Sequence, residues 1–105
     1  MEKICNDLLN IEGIKSVIVM SNDGNLIYKG NVKEEDIEVI SAIMGAIFGG
    51  AEKFEQTIGD KIKYVIIGGN SSKIMLFKCD GKIIGVIGGV KIEDIKDKIL
   101  ECCSQ

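Results

Sequence analysis

Four residue types are missing from this sequence, and each absence excludes a class of chemistry. The 105 residues contain no histidine, arginine, tryptophan or proline, so all 13 basic residues are lysines. Without histidine there is no imidazole base, no Ser–His or Cys–His nucleophile and no histidine ligand for a metal. Without arginine there is no arginine finger and no bidentate clamp for phosphate. We therefore expect a protein that is not an enzyme and that has no catalytic residue, metal or cofactor.

The sequence also lacks an excess of positive charge and a long apolar run. Its net charge is −3 and its pI about 4.9, which argues against a nucleic-acid or anionic membrane partner, because both attract a basic face. No segment reaches the roughly 18 apolar residues of a membrane helix. Residues 1–10 carry early acids and do not resemble a signal peptide. We expect a cytoplasmic protein, and the use of Lys and Ile without Arg suggests an archaeal source.

The four cysteines have no histidine to share a metal with. They are Cys5, Cys79, Cys102 and Cys103, and no pair has the Cys-x-x-Cys spacing. A zinc site would therefore need all four thiolates. In a cytoplasmic protein we expect free thiols. A Cys5–Cys103 disulfide is the alternative if the first and last helices pack together.

The composition is that of one folded domain over residues 1–105. Hydrophobic residues make up 46% and charged residues 28%, which excludes a disordered chain. The mean hydropathy of +0.21 is high for a short soluble monomer. Either the core is very efficient or a partner covers some apolar surface.

Apolar periodicity and turn residues predict the order αββαβββα. Turns such as Asp23-Gly24 and Asp80-Gly81 are short, so the strands they join are antiparallel. The segment Gly68–Lys73 has glycines but no Gly-Lys-Ser ending and precedes a strand, so it is a turn and not a phosphate loop. The predicted elements are helix 2–10, strands 14–20 and 26–29, helix 32–57, strands 61–68, 73–78 and 82–88, and a closing helix through Ile92, Ile95, Ile99 and Cys103.

Both faces of the predicted sheet are apolar. In the first strand Val17 and Val19 point to one face, and Ile18 and Met20 point to the other. Both faces must therefore be covered by helices.

The long central helix is apolar on two sides. One broad side predicts the contact with the sheet, and the other holds small residues. The helix start is predicted by Asn31 as N-cap with Glu34 three residues later. The polar sector is narrow, with Glu38, Ser41, Glu52 and Gln56. The predicted core side comprises Ile37, Ile40, Ile43, Met44, Ile47, Phe48, Ala51, Phe54 and Ile58, and the second side Val39, Ala42, Ala46, Gly49 and Gly50.

The second side needs a cover of its own. Each glycine inside a helix costs about 1 kcal/mol relative to alanine, so Gly45, Gly49 and Gly50 call for a compensating contact. Small residues let another backbone approach closely. A helix-to-helix contact with a second copy of the chain is one interpretation. Coverage by another part of the same domain is the other.

Several blocks along nearly the whole chain resemble the roadblock / dynein light-chain family. The resemblance is carried by patterns of fold and dimerisation, and none of its motifs is a catalytic signature. The blocks are Ile11-x-Gly13-Ile14 with Val17-Ile18-Val19, Asp23-Gly24-x-x-Ile27, Ile40 to Ile47, Lys73 to Phe77 and Gly85-Val86-Ile87.

The resemblance implies a single roadblock-like (profilin-like) α+β domain. Its five-stranded antiparallel sheet has the order 2-1-5-4-3, with the long helix on one face and the terminal helices on the other. Such domains pair through the long helix and the third strand. We therefore predict a dimer interface that contains Val39, Ala42, Ala46, Gly49, Gly50, Lys53 and Tyr64.

The function implied by the resemblance is that of an interaction module. Family members bind small Ras-like GTPases or serve as light chains and scaffolds. The leading hypothesis is a homodimer, or a heterodimer with a paralogue, that regulates or scaffolds a small Ras-like GTPase. A small-ligand sensor domain and a structural subunit of a larger complex without a GTPase are the alternatives.

Overall fold

The computed structural model describes residues 1–104, which form three α-helices, a 3₁₀ helix and five strands. The order of α-helices and strands is the predicted αββαβββα, with the 3₁₀ helix directly before the last α-helix. The elements are α1 (Glu2–Leu9), β1 (Ile14–Ser21), β2 (Leu26–Gly30), α2 (Glu34–Ile58), β3 (Tyr64–Gly68), β4 (Lys73–Cys79), β5 (Lys82–Gly88), the 3₁₀ helix Val90–Ile95 and α3 (Lys96–Ser104).

The five strands form one antiparallel sheet of order β2-β1-β5-β4-β3, which confirms the predicted topology. The central strand β5 pairs with β1 through Val17–Val86 and with β4 through Phe77–Ile84. Strands β2 and β3 each pair on one side only, so they form the two edges of the sheet.

Two apolar clusters, one on each face of the sheet, form the core. Under α2, Met44 and Phe48 pack against Ile18 and Met20 of β1. On the other face, α1 and α3 pack on a cluster that includes Val17 and Val19, so the predicted alternation along β1 is present. Both tyrosines, Tyr28 and Tyr64, pack against the cluster under the terminal helices.

The start of α2 differs from the predicted cap. The helix begins after Lys33, and Asn31 lies before it with a φ of 61°. The side-chain amide of Asn31 donates a hydrogen bond to the Lys15 carbonyl at 3.2 Å, and the Ser16 hydroxyl donates to the Asn31 carbonyl at 2.8 Å. Asn31 therefore ties the turn to β1 instead of capping α2, and Glu34 forms an ion pair with Lys29.

The part of α2 that the sheet covers is narrower than predicted. Ile43, Phe54 and Ile58 are 52%, 57% and 49% exposed, although the periodicity assigned them to the core. Ser41, assigned to the polar sector, is only 9% exposed. The buried face of α2 therefore consists of Ile37, Ser41, Met44 and Phe48.

The expectation of four free thiols is wrong, because Cys79 and Cys103 form a disulfide. Cys79 ends β4 and Cys103 lies in α3, and their Cα atoms are 5.8 Å apart. The alternative Cys5–Cys103 pair is also absent: Cys5 is free and buried, and Cys102 is free and half-buried. The terminal helices do pack on one face, and Cys103 is bonded there to the last residue of β4 instead of to Cys5.

Candidate interaction surface

The outward side of α2 exposes several large apolar side chains. Val39 is 60% exposed, more than Ile43, Phe54 or Ile58 on the same helix. Isolated exposed apolar residues are normal, but a contiguous group marks an interaction site. Four such residues along one helix form a candidate contact surface.

Two of these residues, Ile43 and Phe54, belong to a row that follows the helix at coiled-coil spacing. Successive members are three or four residues apart, which places them on one side of the helix. Ile40 and Ile47 are half-buried, whereas Ile43, Gly50 and Phe54 are exposed. We call these five residues, Ile40, Ile43, Ile47, Gly50 and Phe54, the α2 seam.

A hollow lies beside the α2 seam, between α2 and the β3–β4 end of the sheet. Its volume is about 380 Å³, and its walls are almost entirely apolar. From the sheet side it is lined by Ile67, which is 43% exposed, and by Ile74. From α2 it is lined by Ile40, Ile43 and Ile47. The hollow and the seam therefore form one continuous apolar surface.

Strand β3 borders this surface and presents a free edge. It pairs only with β4, from Tyr64–Phe77 to Gly68–Lys73. Such an edge leaves backbone N–H and C=O groups free to pair with another strand. The end of α2 is tied to the segment before β3, because the backbone N–H of Ile62 donates a hydrogen bond to the Glu55 carboxylate at 2.7 Å. Helix α2 ends at Gly59, whose φ of 72° is the left-handed conformation that glycine favours.

The structure brings six of the seven predicted interface residues together. Val39, Ala42, Ala46, Gly49, Gly50 and Lys53 are all exposed along the outward side of α2. Tyr64 lies on the edge strand, but its side chain packs under the terminal helices, where the Lys96 ammonium is 5.7 Å from its ring centre. On β3 the exposed residue next to α2 is Ile67.

The sequence interpretation missed Ile43, Phe54 and Ile67 as surface residues. Ile43 and Phe54 fit the core face by periodicity, and Ile67 lies in an apolar strand. For Ile43 and Phe54 the sequence signal was the 3–4 spacing of the α2 seam, which is typical of helix–helix contacts. No sequence signal indicated that Ile67 would lie exposed on an edge strand.

Two glycines of α2 have no role inside the described chain. A Cβ atom at Gly49 or Gly50 would meet no atom within 4 Å beyond the neighbouring backbone. By contrast, a Cβ at Gly85 would lie 2.8 Å from the Met44 side chain, so packing explains that glycine. Residues 49 and 50 therefore lack the internal packing constraint that accounts for Gly85.

The described residues give no sign of a metal centre or a membrane span. No group of three or more His, Cys, Asp or Glu side chains in residues 1–104 is placed to hold a metal ion. None of the helices described is both long and apolar enough to cross a bilayer.

Comparison with known proteins agrees with this architecture. A curated relative, an uncharacterised protein of Methanocaldococcus jannaschii, is 34% identical over 92 residues, which cover 88% of this chain and 68% of the relative. The solved structure of MglB from Myxococcus xanthus has a TM-score of 0.84 at 14% identity, covering 96% of this chain and 86% of that one. A Roadblock/LC7 domain from Streptomyces avermitilis has a TM-score of 0.81 at 10% identity, covering 94% and 87%.

The sheet order and the placement of the helices define a roadblock-type α+β domain. The family model described as the Roadblock/LC7 domain matches residues 1–87. The chain belongs to the Roadblock/LC7 family.

Proposed function

We propose that the protein is a non-enzymatic homodimer that presents a platform to a small Ras-like GTPase in the cytoplasm. The observation that carries the dimer is the exposed α2 seam with Gly49 and Gly50, which have no internal packing partner. Helical glycines cost about 1 kcal/mol each, and close approach of a second helix offsets that cost.

The α2 seam is suited to pairing with itself about a two-fold axis. In an isologous contact, residue i meets residue j and j meets i. Gly50 lies between the hollow lined by Ile43 and the exposed ring of Phe54. If two α2 helices cross antiparallel near Gly50, each Phe54 approaches the hollow of the partner. We expect the same arrangement to bring the β3 edge of one copy beside that of the other, because β3 is an edge strand next to α2.

A charge placed in the α2 seam tests the dimer. Wild-type protein should run at twice the chain mass of 11.4 kDa in light scattering coupled to gel filtration. Ile43→Glu should give a folded monomer, because a carboxylate cannot be buried unpaired in an apolar contact. Gln56→Glu adds the same charge on the exposed polar side and should stay dimeric. A monomeric wild-type protein at high concentration overturns the proposal, as does a dimeric Ile43→Glu.

The GTPase partner is proposed from the family resemblance, since family members bind small Ras-like GTPases. The chain has no arginine, so it cannot donate an arginine finger. Pull-down with small GTPases of the same organism, loaded with GDP or a non-hydrolysable GTP analogue, is the direct test. Nucleotide-dependent recovery supports regulation. Equal, negligible recovery leaves a scaffold subunit without a GTPase.

The apolar hollow beside α2 also favours a second candidate, a small-ligand sensor. Its volume of about 380 Å³ is within the usual range of ligand sites. A thermal-shift screen with apolar metabolites separates the two candidates. A large shift with one metabolite, lost in Ile67→Glu, favours the sensor, whereas a dimer that fills the hollow with its own Phe54 predicts no such shift.

A further inference from the structure

The disulfide joins a buried cysteine to a half-buried one. Cys79, the last residue of β4, is 2% exposed, whereas Cys103 of α3 is half-buried. The bond connects residues 24 positions apart, so it closes a loop that contains β5 and the 3₁₀ helix. It is the covalent link between the C-terminal helix and the sheet.

A hollow lined by lysines gives access to Cys103. It has a volume of about 460 Å³ and lies where the segment before β3, the end of β4 and α3 meet. Lys61, Lys63 and Lys78 line it together with Phe77, Leu100 and Cys103 itself, and its lining includes no carboxylate. Lys78 is paired with the Glu52 carboxylate at 3.3 Å, whereas Lys61 and Lys63 are exposed and no ion pair of the described residues neutralises them. The hollow is thus a positively charged entrance to one of the two bonded sulfurs.

We propose that the Cys79–Cys103 disulfide is a reversible clamp on α3, opened and closed by exchange with anionic thiols that enter the lysine-lined hollow. Disulfide exchange proceeds by attack of a thiolate on one sulfur, and its rate depends on access and on the thiolate. A negatively charged thiol is concentrated by the lysines, whereas a cationic thiol is repelled.

The chemistry balances with two equivalents of the thiol. The first thiolate attacks Sγ of Cys103, a mixed disulfide forms there, and the thiolate of Cys79 leaves and takes up a proton. A second thiolate attacks the outer sulfur of the mixed disulfide, which releases Cys103 as a thiol. The small thiol is oxidised to its disulfide, and the two cysteines are reduced by the same two electrons. The reverse sequence, with the small disulfide as oxidant, closes the clamp.

The other two cysteines are poor competitors in this exchange. Burial raises the pKa of the Cys5 thiol, which disfavours its reactive thiolate form. Burial, with the carboxylates of Asp7 and Glu101, raises the pKa of Cys102 as well. Cys102 also lies beside a different hollow, which is lined by three carboxylates, Asp7, Glu12 and Glu101, and by one lysine, Lys98. The two adjacent cysteines of α3 thus face opposite electrostatic surroundings.

Opening the clamp loosens the terminal layer. Ile99 of α3 and Ile92 of the 3₁₀ helix remain buried contacts, so the fold persists after reduction. A disulfide that closes a loop of this length stabilises a small domain enough to raise its melting temperature by about 15 °C. The double variant Cys79→Ser/Cys103→Ser should melt lower by that amount and should not respond to reductant.

The test compares three small thiols of different charge: 2-mercaptoethanesulfonate (anionic), 2-mercaptoethanol (neutral) and cysteamine (cationic). Full-length protein is first oxidised with the disulfide of mercaptoethanesulfonate, and peptide mapping should find Cys79 bonded to Cys103. Reduction is followed by alkylation and mass spectrometry, with each rate divided by the thiolate concentration. At low salt the anionic thiol should be about ten-fold faster than the cationic one, and 1 M salt should remove most of the difference.

Charge reversal in the hollow provides the matched control. Lys61→Glu/Lys63→Glu should reverse the order of the three rates, whereas the exposed Lys15→Glu, remote from the hollow, should leave it unchanged. Both variants should melt near the wild-type temperature, because these lysines make no ion pair in the described structure. Three equal rates per thiolate overturn the proposal. So does a wild-type protein that keeps four free thiols after oxidation.

Discussion

At the scale of a single residue, the buried hydroxyl of Ser41 should destabilise the fold. Its Oγ has no hydrogen-bond partner in the described structure, although the residue is only 9% exposed. An unsatisfied buried polar group costs about 1–3 kcal/mol. Ser41→Ala removes that cost and adds a better helix former. We predict that it raises the free energy of unfolding by about 1 kcal/mol in urea titration.

A second serine supplies the control for that measurement. Ser16 donates a hydrogen bond to the Asn31 carbonyl at 2.8 Å. Ser16→Ala should therefore lower the free energy of unfolding by about 1 kcal/mol. If the two Ser→Ala substitutions change the free energy of unfolding in opposite directions, the change depends on whether the hydroxyl is hydrogen-bonded and not on its loss alone. If Ser41→Ala destabilises as much as Ser16→Ala, the hydroxyl of Ser41 has a partner in solution.

Gly88 of β5 is fixed by close contact with the backbone. A Cβ there would clash with the Gly13 carbonyl oxygen and would lie 2.8 Å from the Ile92 side chain. A carbonyl cannot rotate away as a flexible side chain can. We predict that Gly88→Ala lowers the free energy of unfolding by about 2–3 kcal/mol, measured by thermal and chemical denaturation. Gly89→Ala, with no atom within 4 Å of the added Cβ, should change it by less than about 0.5 kcal/mol.

Single residues were the least predictable level from the sequence. Asn31 and Glu34 have the spacing of a cap, yet Asn31 bonds the Lys15 carbonyl across a turn. The partner of Cys79 depends on where α3 crosses the sheet, and no local pattern encodes that crossing. Short polar side chains and thiols have several competing partners, and tertiary structure selects among them.

At the scale of the element, a glycine of α2 should affect the stability of the monomer and the affinity of the dimer in opposite directions. Gly50→Ala should raise the unfolding free energy of the monomer by about 1 kcal/mol, because the added methyl meets no atom of the described chain. The same methyl should weaken the dimer, because it separates the crossing helices.

The measurement for Gly50→Ala needs two concentrations. Unfolding far below the dimer dissociation constant reports the monomer, and sedimentation equilibrium reports the dimer. Glu52→Ala lies on the sector away from the seam and should leave dimerisation unchanged, although it loses the 3.3 Å ion pair with Lys78. A Gly50→Ala dimer as tight as wild type would place the helix crossing elsewhere.

Elements and their order were predictable because their signals are local. Alternation along β1, the Asp-Gly turns and the helical period of α2 each involve neighbouring residues. The face of α2 that is buried was only partly predictable. Periodicity defines an apolar arc, but the width of the sheet beneath it decides where burial stops. Ile43 and Phe54 belong to the arc, yet they are 52% and 57% exposed.

For the whole molecule, the proposed dimer should be held mainly by apolar contact. The α2 seam contains four apolar side chains and one glycine and no charge. We predict that the dimer dissociation constant changes by less than about three-fold between 0.05 and 1 M salt, since screening acts on charges. Analytical ultracentrifugation across that range tests this. Strong weakening by salt would instead indicate an ionic contact that uses Lys53 and the acids of α2.

The topology of the whole molecule was predictable only through the family resemblance. Turn lengths make neighbouring strands antiparallel, but they do not decide that β1 lies beside β5. The 2-1-5-4-3 order came from the resemblance, and the structure confirms it. The interface residues stay a prediction, refined by the structure toward the α2 seam and Ile67.

Both tyrosines pack beneath the terminal helices, and the chain has no tryptophan. Tyrosine emission, which dominates the intrinsic fluorescence of a protein without tryptophan, therefore comes from one layer alone. Binding or dimerisation at α2 should therefore change the tyrosine fluorescence very little, whereas release of α3 should change the emission of Tyr64. A plain optical titration thus reads one side of the molecule without any attached dye.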